Sequence, residues 1–517
     1  MSWDEEAREI ERLRALAALQ GGAEAVAKQH ARGRSSVRER IDALVDKGSF
    51  REQGGLAGSA SHDADGELSG FVPSNAVIGT ARIDGRPVVV CGDDFTVRGG
   101  AYSPAGMKKA EYADRLSVRR RVPNVRLLEA GGASVSGISG VRGRSGYDFV
   151  SGATSNHALV EARASVPMVA AALGPVAGFA AARLCAAHFS LMTRGAQVLI
   201  GGPALVARAT REDVTKEDLG GPEIHAKSGV VDNVAEDEAD VWRQIRRFLS
   251  YLPSNVWSAP PVAECSDPRE RREAKLIEIV PRDARKPYKM RRVVEAIVDR
   301  ESFFELTPGY GRSQITGLAR VAGHPVGVLA NDPYVYGGSM TADGAQKLRR
   351  FAELCDSFHL PIVSLMDEPG FMIGTQAEQQ ATIRHGLEAI FAVQQTSVPW
   401  FTVIVRRSFG VAAGCHLGPG GLVVAWPSAQ SGALPIEGGI ELAYGKEIAA
   451  APDPGARRRE LEAEYAQAQS ILPRAVDFGV HDLIDPRDTR PRLCEWVEEI
   501  APVVAQLRGP RVYTSRP

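Results

Sequence analysis

Charge of one sign, aromatic rings, paired cysteines and long apolar runs are all scarce in this chain of 517 residues. Its 62 Lys and Arg side chains almost cancel 63 Asp and Glu, leaving a formal charge of −1. No global field therefore draws it to nucleic acid or to an anionic membrane, and an anionic ligand must be held by a local site. Cys91, Cys185, Cys265, Cys355, Cys415 and Cys494 stand alone, with no C-x-x-C pair and no histidine at ligand spacing. This argues against a disulfide scaffold or a zinc ribbon, so no metal is expected, and it fits a reducing compartment. The first residues, among them Asp4, Glu5, Glu6 and Arg8, lack the apolar core of a signal peptide, so a cytoplasmic protein is expected. One uncharged run, 164–182, approaches membrane-spanning length, but Pro167, Gly174, Pro175 and Gly178 divide it into a buried strand, a turn and a buried helix. Missing too are a G-x-S-x-G elbow, a P-loop, a G-x-G-x-x-G after a first strand and H-E-x-x-H.

Glycine (53) and proline (31) are plentiful, which calls for tight turns and close backbone approach. At roughly 100 to 200 residues per domain, the length has room for two to four domains. The chain is in fact written twice. Ile83-Asp84-Gly85-Arg86-Pro87-Val88 returns as Val321-Ala322-Gly323-His324-Pro325-Val326, a shift of 323 − 85 = 238. At the same shift Gly99-Gly100 matches Gly337-Gly338, Lys109 matches Lys347, Pro123 matches Pro361, Glu129 matches Asp367 and Gly132 matches Gly370. Ser165-Val166-Pro167 then matches Ser397-Val398-Pro399, and Gly178 matches Gly410, at 410 − 178 = 232. Coincidence does not hold register over so long a stretch of turn residues, so two homologous domains are expected.

Each copy reads as two β-branched strands about a turn, an amphipathic helix (108–120 in the first), a strand that ends on an acidic residue before glycine, a helix, and a further strand from Pro167 or Pro399. That alternation predicts an α/β fold with ligands at the carboxyl ends of the strands. The divisions expected are a helical lead-in over 1–72, a first domain over 73–252, a linker over 253–287 and a second domain over 288–517, with a charged helix near 457–464.

The segments that punctuate both copies have few side chains suited to acid–base work. What recurs is a strand, then Ala177-Gly178-Phe179-Ala180 or Phe409-Gly410-Val411-Ala412-Ala413, then a small-residue helix. A glycine before a helix lets a ligand oxygen approach free backbone N–H groups, the ingredients of a main-chain oxyanion hole. His188, His225, His385 and His416 read as hydrogen-bonded structural groups. The Arg119-Arg120-Arg121 run reads as a solvated helix end, with contact to a ligand phosphate as the alternative.

Longer motifs carry a resemblance. Asp93-Asp94-Phe95-Thr96-Val97-Arg98-Gly99-Gly100, Glu212-Asp213-Val214-Thr215-Lys216-Glu217-Asp218-Leu219-Gly220-Gly221, Asp367-Glu368-Pro369-Gly370-Phe371, Ile383-Arg384-His385-Gly386 and Ala425-Trp426-Pro427-Ser428-Ala429 closely resemble the carboxyltransferase β subunits of biotin-dependent acyl-CoA carboxylases. The similarity runs from Ser35 to Arg490, and propionyl-CoA and methylcrotonyl-CoA carboxylase β subunits are the nearest relatives it suggests. It implies two tandem crotonase-like domains, the first binding the acyl-CoA substrate and the second facing carboxybiotin, in a homo-oligomer built from dimers and extending to hexamers. It also implies transfer of a carboxyl group to the α- or γ-carbon of the thioester through an enolate. The biotin rides on a partner, a biotin carboxylase/biotin carrier α subunit, because no biotin-accepting Met-Lys-Met segment or ATP-binding region is recognisable; Lys289-Met290 lacks the flanking pattern.

Carried over by position, the catalytic residues are Gly178 and Phe179 on the acyl side and Gly410, Val411 and Ala412 on the biotin side. Substrate-binding positions are Gly132, Ala133, Ala177, Ala413, Gly414 and Gly438. The family usually has a second glycine where Phe179 and Val411 stand, reads Gly-Gly-Ala-Arg over Gly131-Gly132-Ala133-Ser134, and carries Met-Gly near Gly438. It also carries a tyrosine and then a larger residue over Ala413-Gly414-Cys415, so a bare Gly414 is expected to admit a longer or branched acyl chain. Two alternatives stand beside the carboxylase reading. One is an acyl-CoA decarboxylase of the same fold, and the other is an impaired paralogue with a structural or regulatory role.

Overall fold

Apolar β-branched runs on either side of Asp84-Gly85 and of Ala322-Gly323 close into antiparallel hairpins, Ala76–Ile83 with Arg86–Asp93 and Gln314–Val321 with His324–Asn331. Both turn residues have positive φ, 50° and 76° in one hairpin and 49° and 81° in the other, the geometry whose twist matches that of the flanking strands. A carboxylate clamps each turn: Asp46 accepts the N–H groups of Asp84 and Gly85 at 2.9 and 2.8 Å, and Asp299 accepts those of Ala322 and Gly323 at 3.0 and 2.8 Å.

The computed structural model describes residues 2–66, 68–101, 103–132, 149–283 and 285–513. The chain divides into two units, Met1–Val256 and Trp257–Arg516. In the first, the strand order is Arg51–Gln53, Ala76–Ile83, Arg86–Asp93, Asn124–Ala130, Met168–Ala177, Phe189–Thr193 and Asn233–Ala235, with Gln197–Leu199 beside Met168–Ala177. The second repeats this strand for strand: Phe304–Leu306, Gln314–Val321, His324–Asn331, Ile362–Glu368, Trp400–Phe409, Leu422–Ala425 and Asp482–Leu483, with Gln430–Gly432 beside Trp400–Phe409. From Arg86–Asp93 and His324–Asn331 onward these pairings are parallel, and the central strands are buried along almost their whole length. Near-continuous apolar runs are what a sheet covered on both faces requires.

The duplication begins earlier than the sequence comparison detects. Helix Val37–Leu44 corresponds to Met290–Ile297, and strand Arg51–Gln53 to Phe304–Leu306, both at 304 − 51 = 253. The shift drops to 314 − 76 = 238 because only the first unit carries the hairpin Gly58–His62 and Leu68–Pro73. Within 253–287, read as a linker, Pro261 and Ala263 pack on the second sheet: Ala263 N–H donates to Gly323 O at 3.0 Å and Arg320 reaches Pro261 O at 2.9 Å. The 164–182 run is strand Met168–Ala177 and the start of helix Phe179–Cys185, and no helix among the described residues is long and apolar enough to cross a membrane.

Helix Pro104–Arg120 begins four residues before the position read from sequence, because Ser103 caps it through Gly106 N–H with Pro104 in the first turn. Thr341 caps its counterpart Ala342–Ser357 in the same way. The matched lysines of the sequence comparison are buried braces on these two helices. Lys109 Nζ donates to Gly54 O at 3.0 Å, and Lys347 Nζ donates to Thr307 O at 2.8 Å and Gln314 O at 2.7 Å. Removing such a donor strands buried carbonyls at about 1–3 kcal/mol. Chemical denaturation should therefore find Lys347→Met destabilised by about that amount, and by more than Lys109→Met; equal stability of Lys347→Met and the parent chain would refute the brace.

Candidate active site

Each long central strand ends at a glycine that no L-residue replaces without strain. Gly178 closes Met168–Ala177 with φ 63° and ψ −130°, and Gly410 closes Trp400–Phe409 with φ 63° and ψ −163°. The N–H of each is engaged, by Leu199 O at 3.3 Å and Gly432 O at 3.2 Å respectively. These two acceptors lie at the ends of the short strands Gln197–Leu199 and Gln430–Gly432, so the same edge contact sets both turns. The chain then enters helix Phe179–Cys185 in one unit and the turn Val411–His416 in the other. First-turn N–H groups have no acceptor within their own helix, and Phe179 and Val411 are the residues that open these two elements.

In the first unit Gly132, Ala177 and Gly178 come together. A Cβ on Gly132 would lie 3.3 Å from Ala177 Cβ, and one on Gly178 would lie 3.8 Å from Gly132 Cα. Phe179 is half-buried with the Arg183 guanidinium 4.6 Å from its ring centre. Ala133 falls outside the described residues. In the second unit Gly410 and Val411 are exposed, Ala412 and Ala413 are buried, and a Cβ on the half-buried Gly414 would meet Ile390 at 3.7 Å. Gly438 lies in helix Ile436–Ala450.

Beside each turn the next-to-last residue of the neighbouring strand is a wholly buried carboxylate, Glu129 or Asp367. Glu129 accepts from Gln29 Nε2 at 2.6 Å, Arg34 Nη1 at 3.1 Å and Arg40 Nη1, all supplied by the amino-terminal helices and the loop between them. Asp367 accepts from Tyr288 Oη at 3.0 Å, Arg406 Nε at 3.1 Å and Arg407 Nε at 2.6 Å. Burial alone would raise the Asp367 carboxyl, but Arg407 and Arg406 outweigh it and hold the group below the usual carboxylate range. Burial, followed by the Asp367 charge, pushes the Tyr288 phenol well above its ordinary value, so it stays a donor. The two schemes are complementary. Position 174 is glycine, where a Cβ would sit 2.4 Å from Glu129 Oε1, whereas its counterpart 406 is the arginine that binds the shorter Asp367. A break in register falls at both strand ends, between Leu128 and Ala130 and between Met366 and Glu368, and it re-aims the loops that follow.

A carboxyl transferase domain model matches residues 28–501. The chain belongs to the carboxyl transferase domain family. This carboxyltransferase is 35% identical over 500 residues, 95% of each chain, to the propionyl-CoA carboxylase carboxyltransferase subunit of Haloferax mediterranei. It is 36% identical over 488 residues, 93% of this chain and 91% of the other, to the methylmalonyl-CoA carboxyltransferase 12S subunit of Propionibacterium freudenreichii. Among solved structures it matches transcarboxylase 12S, described as a hexamer assembly with methylmalonyl-coenzyme A and methylmalonic acid bound, with TM-score 0.87 at 31% identity over 97% of this chain and 96% of that one. A single-chain, multi-domain long-chain acyl-CoA carboxylase matches with TM-score 0.80 at 30% identity, over 96% of this chain and 48% of that one. The crotonase-like fold of these neighbours is the fold described above, and the enzyme class is that of the biotin-dependent acyl-CoA carboxyltransferases.

The four histidines singled out in the sequence have local partners. His188 Nδ1 accepts Met168 N–H at 3.0 Å, His225 Nε2 lies 2.6 Å from Val198 O, His385 lies 3.2 Å from Glu388, and His416 Nδ1 lies 3.0 Å from Ser364 Oγ. Of the arginine run, Arg119 lines an open groove of about 470 Å³ with Arg115, Val118, His157, Ala158 and Glu161, while Arg121 ends its helix in a left-handed cap. Sequence reasoning missed the buried carboxylates and their donors, although the matched pair Glu129/Asp367 was the signal that marks them. Breaking such a buried cluster by Asp367→Asn should destabilise by about 3–5 kcal/mol at neutral pH. Because the folded-state pKa is depressed, this stability is fully present above the unfolded value of about 3.9 and is lost as pH falls through the folded pKa. The gap between parent and variant, followed by denaturation against pH, should stay constant at higher pH and close only on acidification below about 4; a gap that closes between pH 6 and 8 would refute this account.

Proposed function

We propose that this carboxyltransferase moves a carboxyl group between biotin carried on a separate α-type partner and the α-carbon of an acyl-CoA of the propionyl/methylmalonyl class, in a homo-oligomer. The observation that carries the reading is the pair of strand–glycine–helix turns with the same φ, each presenting main-chain donors, in a chain whose relatives at about 35% identity are named for this chemistry.

The acyl side is the Gly132, Ala177, Gly178 and Phe179 corner, with Ala133 beside it. There Phe179 N–H faces the thioester oxygen and strengthens its hold as that oxygen becomes an enolate. Gly178, whose own N–H is engaged, acts through conformation: its left-handed φ turns the next N–H outward. A neutral acceptor that gains negative charge suits a cradle of backbone donors, and the Gly410–Val411–Ala412 turn offers one to the biotin ureido oxygen. Carboxybiotin, when bound, would supply the carboxyl group, and the biotin nitrogen freed by its loss would take up the α-carbon proton that leaves as the enolate forms. Ala413, Gly414 and Gly438 border this side, and the bare Gly414 leaves room toward Ile390 for a longer or branched acyl chain. A preorganised donor of this kind contributes about 2.7–4 kcal/mol, or 10²–10³ in kcat.

The direct test follows labelled bicarbonate into acetyl-, propionyl- and branched or long acyl-CoAs with the biotinylated partner, with and without avidin. Incorporation that avidin abolishes, extending to the branched or long chains, is expected. Avidin-resistant loss of CO2 from a carboxyacyl-CoA would assign a decarboxylase instead, and a stable partner complex without turnover would assign a structural subunit.

Phe179→Pro and Val411→Pro remove one N–H each at the first position of a helix, where proline is tolerated. Each should lower kcat by 10²–10³ with the circular dichroism spectrum unchanged; turnover within twofold of the parent would remove these donors from the mechanism.

A further inference from the structure

The repeat supplies its own control experiment, because the two units fill equivalent places around the glycine turn with different side chains. Glu368, the last residue of strand Ile362–Glu368, stands where the first unit has Ala130, at 368 − 238 = 130. His416, the last residue of the Val411–His416 turn, stands where it has Leu184, at 416 − 232 = 184. All four are buried. One unit thus packs alanine and leucine where the other buries a carboxylate and an imidazole.

The polar pair lies where two segments meet. Glu368 Oε1 accepts Gly370 N–H at 2.9 Å and so fixes the loop beyond the strand end. Its Oε2 accepts Asn331 Nδ2 at 3.0 Å, and the same amide nitrogen donates to Gly338 O at 3.0 Å. His416 Nε2 lies 3.6 Å from Glu368 Oε2, Nδ1 lies 3.0 Å from Ser364 Oγ, and the His416 carbonyl accepts Thr402 Oγ1 at 2.7 Å. No substrate reaches either side chain, since both are fully buried. A buried ionisable pair is often no more stabilising than apolar residues of similar volume, and the first unit shows that the fold accepts such residues at these positions. Stability therefore does not explain the pair, and its location does. It sets the Gly370 loop, which Glu368 holds, against the far end of the turn that Val411 opens, with His416 Nε2 3.6 Å from Glu368 Oε2 and outside hydrogen-bond distance.

We propose that Glu368 and His416 are positioning residues that hold the Gly370 loop and the Val411–Ala412 donors in the arrangement that serves biotin. This rests on the assignment of the second unit to the biotin side. The decisive variant is the double substitution Glu368→Ala with His416→Leu, which installs the first unit's own solution. With methylmalonyl-CoA as carboxyl donor and free biotin as acceptor, the double variant should lose at least tenfold in kcat/KM for biotin, while the KM for methylmalonyl-CoA stays within twofold and the melting temperature does not fall. His416→Gln, which keeps a neutral hydrogen-bonding group beside Glu368, should recover part of the loss. Wild-type kcat/KM for biotin in the double variant overturns the positioning role. So does a loss that appears equally in both substrates together with a lowered melting temperature, since that marks a structural role alone. A parent chain that transfers nothing between these two probes overturns the biotin-side assignment itself, an outcome distinct from either of the others.

Discussion

A carboxylate buried at the end of a central strand must be compensated, and the architecture of both units follows from how this is done. Glu129 and Asp367 are shut off from the protein surface, and an uncompensated charge there costs several kcal/mol. The first unit answers with long arms from outside the sheet, Gln29, Arg34 and Arg40, and leaves the adjacent strand bare at Gly174. The second places the arginines on the adjacent strand itself, at 406 and 407, and adds the Tyr288 phenol. Either way the strand end is immobilised, and the loop and glycine turn beside it inherit that rigidity. For chemistry that relies on main-chain dipoles rather than titrating side chains, such preorganisation is the principal resource.

Much of the fold was legible in the sequence because its punctuation is glycine and proline at constant spacing. Positive φ recurs at equivalent places, Gly99 and Gly337, Gly132 and Gly370, Gly178 and Gly410, and even at the non-glycine pair Arg121 and His359. Positions that demand unusual backbone geometry tolerate few residues, so they leave a trace that survives when side chains drift. The earlier start of the repeat was hidden because Val37–Leu44 and Met290–Ile297 share an amphipathic pattern without sharing punctuation, and because the hairpin at Gly58–Pro73 shifts the register.

The candidate site was legible only in part, for a related reason. Gly178 and Gly410 announce themselves through φ, whereas Asn331 Nδ2 on Glu368, or Glu129 beneath Arg40, are contacts between residues distant in sequence. A lone histidine such as His416 looks like every other core histidine until the strand that carries Glu368 is laid beside it. Reading Phe179 and Val411 against the family's usual glycines showed a difference of residue type. In the structure the residue with left-handed φ is the one before each of these positions, Gly178 or Gly410, so a side chain at 179 or 411 leaves that backbone turn intact.

Two sheets of identical strand order in one chain present a hazard during synthesis, since a strand from one copy has a geometrically suitable berth in the other, and exchange between like domains is a characteristic failure of repeated folds. The unlike anchors of the two buried carboxylates act against this exchange. A strand bearing Asp367 offered to the first sheet would be one methylene too short for the arms of Gln29, Arg34 and Arg40. A strand bearing Arg406 would drive a guanidinium into the space that Gly174 keeps for Glu129. The divergence that gave the two halves different partners thus also acts as an address, telling each strand which sheet is its own.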